Sequence, residues 1–132
     1  MPDTDRAVYG YTLSGTLLNS DNTRYAGPFL SSGIAAGDSH RTPITLAGTL
    51  KNMYFRVRLN NLNANGTVTL MLNGSASALV ITVTASTAGL FSDTTNTVAV
   101  VAGDLISFKF DDGGATAGAW TDFSIVVECQ YV

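Results

Sequence analysis

Between Leu50 and Phe110 apolar residues return at every second position, segment after segment. A two-residue period belongs to a β-strand with one face in a core and the other in water. In Leu50–Leu59, Met53, Phe55, Val57 and Leu59 fall on one side, and Tyr54, Arg56 and Arg58 on the other. Val68, Leu70 and Leu72 then alternate with Thr67, Thr69 and Met71, and Leu79, Ile81 and Val83 alternate with Val80, Thr82 and Thr84. Asn73-Gly74 between these runs predicts a hairpin around Asn73–Ser77. Thr97–Val101 and Leu105–Phe110 flank an Ala102-Gly103-Asp104 break. Phe123–Tyr131 closes the pattern, with Phe123, Ile125, Val127, Cys129 and Tyr131 on the inward phase.

The rest of the chain is less regular. Met1–Arg6 reads as a flexible arm, and residues 7–132 as a single domain. Ala7–Leu13 is a candidate first strand and Ser14–Thr23 a polar, turn-like connection. Arg24–Leu30 reads as extended, with Pro28 confining it to an edge or a bulge. Ser31–Arg41 reads as a loop and Thr42–Leu46 as a short strand. Ala85–Asn96 is expected to be a loop whose Leu90 and Phe91 anchor it over one end of the core, and Asp111–Gly118 another loop. That gives about eight or nine strands and no helix beyond a turn or two, hence an all-β antiparallel sandwich. The long connections favour a jelly roll. An immunoglobulin-like sandwich is the alternative, without that family's Cys–Trp–Cys pattern.

Composition narrows function. With 132 residues, 45% of them hydrophobic and 13% charged, the chain has the makings of one folded core. A net charge of −3 and dispersed basic residues argue against a nucleic-acid partner. Arg56 and Arg58 read as the solvated face of a strand. No run reaches membrane-spanning length, and the N-terminus lacks the basic and apolar regions of a signal peptide, so synthesis in a cytosol and no membrane partner are expected. The single cysteine, Cys129, lies on a core phase and reads as a buried structural thiol.

Chemistry-bearing residues are sparse. A Ser/His/Asp site has only His40 to draw on, beside Asp38 and Ser39 in a polar loop. One histidine and one cysteine do not make a zinc site. Asp111 and Asp112 precede two glycines, and Asp93, Asp104 and Asp122 are further carboxylates, but Asp-Gly is also an ordinary turn and no calcium-loop pattern is present. No cofactor, metal or catalytic residue is expected, and the chain does not read as an enzyme. Trp120 follows a Gly/Ala loop; exposed, it could stack on a sugar with Asp111 and Asp112 beside it, and otherwise it lids the core.

The segments TLKNMYFRVRLNNLNANGTVTLMLNG, SALVITVTA and TNTVAVVAGDLISFKF resemble jelly-roll structural proteins of tailed bacteriophages, many with a fold like tumour necrosis factor or the C1q head. The likeness covers about Leu46 to Phe110: a strand opening Thr-Leu-Lys-Asn, a strand ending Asn-Gly, an apolar strand, then Val98–Ser107 with its Ala-Gly-Asp turn. It implies a virion protein made in the host cytoplasm and often trimeric. Small single-domain members look like decoration or cement proteins, which brace major capsid subunits from outside the head. On that reading Tyr9, Tyr11 and Tyr25 are candidates for the capsid-facing part, and Tyr54, Met71 and Val80 for a homotrimer interface. The alternative is a tail or receptor-binding module for host-surface carbohydrate, using Trp120, Asp111 and Asp112.

Overall fold

A computed structural model describes residues 6–19, 23–28, 37–38 and 40–132, with backbone only over 15–19. The described residues form ten strands: β1 (Arg6–Asn19), β2 (Thr23–Ala26), β3 (Thr42–Pro43), β4 (Gly48–Asn60), β5 (Gly66–Leu72), β6 (Ser75–Val83), β7 (Gly89–Asp93), β8 (Val98–Val100), β9 (Leu105–Asp111) and β10 (Ala119–Tyr131). They make two five-stranded antiparallel sheets packed as a sandwich. The first runs β1-β10-β4-β7 with β8 also on β4, and the second β2-β9-β5-β6 with β3 also on β9.

The pairing nests. β5 pairs with β6, β4 with β7 and β8, β2 and β3 with β9, and β1 with β10. Successive pairs alternate between the two sheets. One long hairpin rolled onto itself has this order, which is the jelly roll expected from the long connections. The immunoglobulin-like alternative falls away.

The turn at Asn73-Gly74 takes φ of +50° and +84°, so the β5–β6 hairpin closes with both central residues left-handed. Asn and Gly tolerate that conformation best, and its twist matches the flanking strands. Asn73 Nδ2 donates to Asp104 Oδ1 at 3.0 Å, and Leu105 N donates to Asn73 Oδ1 at 2.9 Å. Asp104 Oδ2 in turn accepts from Val101 N at 2.9 Å. The Asn-Gly and Ala-Gly-Asp signals, far apart in sequence, are therefore one clasp at one end of the sandwich.

The core holds Leu50, Met53, Phe55, Val57, Val68, Leu70, Leu79, Ile81, Phe108, Phe110 and Ile125, all essentially without exposure. Burying each large side chain stabilises the fold by about 1.5–3 kcal/mol. Phe55 lies 5.2 Å from Trp120, 5.7 Å from Phe123 and 6.2 Å from Phe110, ring centre to ring centre, which ties the sheets together through aromatic contacts.

Several expectations are corrected. Arg6 is not part of an arm: it opens β1 opposite Gln130 and pairs with Glu128 at 2.9 Å. The first strand runs on to Asn19, across most of the expected connection, with register shifts after Leu13 that absorb its irregular pattern. Ala85–Asn96 contains β7, paired with β4; Leu90 points outward at 65% exposure and only Phe91 packs on the core. Leu59 is exposed as well. Asp122, at φ +53°, slips the phase of β10 so that Trp120 faces the core; paired β4 follows, turning Asn60 in and Leu59 out.

Candidate functional site

The outer face of the first sheet is open over its described residues. Its exposed apolar residues include Val8 on β1, Val126 on β10, Tyr54 and Leu59 on β4 and Leu90 on β7. Register puts Val126 directly beside Tyr54, with Val8 opposite Glu128 and Leu90 opposite Arg56 in the rows on either side. Gly10 lies opposite Val126, Val126 opposite Tyr54, and Tyr54 opposite Ser92. The next row runs Thr12, Ser124, Arg56, Leu90. Gly10 keeps this face open: a Cβ there would meet Val126 Cγ1 and Ile125 O at 3.0 Å. Apart from Arg56, the charged side chains around it are engaged. Arg6 holds Glu128, Lys51 reaches Gln130, and Arg58 holds Asp122 at 2.6 Å.

Where the row of Thr12, Ser124 and Arg56 meets the Arg58–Asp122 pair, the face sinks into an open hollow of about 140 Å³. Two backbone irregularities flank it: the register shift of β1 after Leu13 and the left-handed Asp122.

The residues expected to meet a capsid are largely inside. Tyr9 and Tyr11 are each 5% exposed, because β1 places them on its core phase and sends Val8 out. Tyr9 shares a hydrogen bond with the Tyr131 hydroxyl at 3.3 Å; burial, then that bond, push its pKa up to about 12. Burial raises Tyr11 too. Tyr25 is half-buried on β2, in the other sheet. The residues named for a trimer interface do not share a face. Tyr54 belongs to the first sheet, and Met71 and Val80 to the second. Met71 is also 7% exposed: it pairs with Ser107, which is covered by Asp38 through a 2.7 Å hydrogen bond.

The carbohydrate set is corrected most firmly. Trp120 is wholly buried among Phe55 and its neighbours, so it offers no stacking face. Its indole N–H has no hydrogen-bond acceptor among the described residues. Asp111 accepts from Thr23 Oγ1 at 3.2 Å and Gly113 N at 2.8 Å. Asp112 is buried and accepts from Gly114 N at 3.0 Å. Both carboxylates shape the turn into Gly113-Gly114.

His40 is exposed, and neighbouring Asp38 spends its oxygens on Ser107 and on Arg41 Nε at 3.2 Å. Among the described residues no three His, Cys, Asp or Glu side chains gather as a metal site. Cys129 is a free, buried thiol whose pKa burial raises. Asp93, read only as a spare loop carboxylate, closes one side of the sandwich. Buried on β7, it accepts from Val80 N at 3.1 Å across to β6, and from Thr95 N, Asn96 N and Asn96 Nδ2. Burial pushes its pKa up, but these four donors outweigh burial and hold it below the usual carboxylate range.

The class defined so far is a jelly-roll domain whose first sheet presents an open, mixed apolar and polar face. A comparison with protein-family models gives no match, and a search of curated proteins gives none either.

Proposed function

We propose that this protein is a structural component of a virus particle, a decoration protein that binds the outside of a phage head as a homotrimer and braces the major capsid subunits. The observation that carries this reading is the outer face of the first sheet. Val8, Tyr54, Leu90 and Val126 are exposed on the adjacent strands β1, β10, β4 and β7, a laterally extended surface of the kind that meets another protein. The phage-like segments support it, since their Asn-Gly and Ala-Gly-Asp elements join in one structural clasp.

The mechanism is mechanical. A sandwich that binds the assembled lattice and not its separated subunits stabilises the lattice by linkage, and a trimer multiplies weak contacts at one junction. Self-association is assigned to Tyr54, Leu90, Val8 and Val126, in place of Met71 and Val80.

The test has two readouts. Light scattering at micromolar concentration should give the mass of a trimer, and the double variant Tyr54→Glu, Leu90→Glu should give a monomer with unchanged circular dichroism. Added to bare phage capsids, the native chain should bind stoichiometrically and raise the temperature at which the shell opens. A chain that neither binds capsids nor changes their stability would overturn the decoration reading.

A further inference from the structure

We infer that the hollow beside Arg56 is a binding site for a single carboxylate group. The chain has five arginines, at positions 6, 24, 41, 56 and 58. Arg6, Arg41 and Arg58 pair with carboxylates, and Arg24 donates to the Thr23 carbonyl at 3.2 Å. Arg56 alone has no hydrogen-bond or ion-pair partner among the described residues, and it is exposed on the rim of the hollow.

The surroundings complete an anion site. Thr12, Ser14 and Ser124 line the same hollow and bring hydroxyl donors to it. Ser124 sits opposite both Thr12 and Arg56 in register, so a hydroxyl lies beside the guanidinium on a rigid ladder. Arg58 Nε and Nη2 both contact Asp122 Oδ2 at 2.6 Å, which fixes the second guanidinium in the wall. The hollow, about 140 Å³ and open to solvent, has room for a carboxylate group.

Charge selects the ligand. Two guanidinium groups and one carboxylate leave one uncompensated positive charge in the hollow. A monoanion neutralises it. A phosphate dianion overshoots and meets Asp122. The planar fork of Arg56 matches a carboxylate two bonds at a time, with hydroxyls for the remaining lone pairs. Such a carboxylate is found on a uronic-acid sugar and on an acidic protein side chain. The hollow shares the sheet face of Tyr54 and Leu90, so the site is read on the unassociated chain, and the decoration reading is not needed for it.

The test is a titration of the full chain, followed by NMR of the arginine Nε–Hε signals at constant ionic strength. Sodium glucuronate and N-acetylglutamate methylamide are the two probes, with sodium chloride and inorganic phosphate as controls. Saturable shifts of the Arg56 signal at millimolar probe are expected, and the tighter probe identifies the source of the carboxylate. Arg56→Gln should weaken binding at least tenfold and Arg56→Lys several-fold, both with the β4–β10 amide spectrum unchanged. Shifts matched by chloride, tighter binding of phosphate than of either carboxylate, or saturation that survives in Arg56→Gln would each overturn the assignment.

Discussion

Asp93 and Tyr9 give the protein opposite pH limits. The folded pKa of Asp93 lies below its unfolded value, so its contribution is complete above about pH 4 and is lost as pH falls through the folded value. Asp104, lowered by its bonds from Asn73 and Val101 N, acts in the same direction. Asp93→Asn should cost about 2 kcal/mol at pH 7, because buried donors lose a charged acceptor, and should flatten the fall in urea midpoint below pH 4. Tyr9 is the reverse case. Its folded pKa of about 12 exceeds the usual value of 10.0, so its contribution is complete below pH 10 and is lost as pH rises toward 12. Thermal melts should fall across that window, and Tyr9→Phe should flatten part of the fall, Tyr11 supplying the rest. Neither residue's role was legible in the sequence. Asp93 acts on Val80 of another strand, and the phase of β1 is settled by its pairing with β10.

The strands themselves were mostly legible, because alternation is a local signal. The β4, β5, β6, β9 and β10 segments stand where their apolar period puts them. What escaped was β7, whose Gly-Leu-Phe-Ser-Asp is too short for a period to declare itself and becomes a strand by pairing with β4. The phase slip at Asp122 escaped too, since a left-handed residue leaves no mark on composition. The β5–β6 turn was legible, but not its clasp to Asp104. Asn73→Ala should cost about 1–2 kcal/mol, from lost hydrogen bonds and a strained positive φ, seen as a lower urea midpoint with an unchanged slope.

The first sheet joins the first and last described strands, since β1 lies against β10 from Arg6–Gln130 to Asn19–Ala119. Removing residues 1–13 takes away most of the β1–β10 pairing, which leaves β10 as a bare edge, together with the buried rings of Tyr9 and Tyr11. That truncation should fail to fold, losing its strand circular dichroism and its cooperative melt. Because nested pairing joins residues far apart in sequence, refolding should be slow, in the range of milliseconds to seconds after denaturant dilution.

The sequence by itself determined that the chain is an antiparallel sandwich, which of its faces are apolar, and where its tight hairpin turns. Each of these follows from residues within a few positions of one another. Only the tertiary structure decided that Trp120, Tyr9 and Tyr11 are inside, that Tyr54 and Val80 lie on opposite sheets, and that Arg56, among the described residues, is left without a partner in a hollow lined by Thr12, Ser14 and Ser124. Those facts depend on register between strands as distant as β1 and β10, and on bulges that turn a side chain from one face to the other.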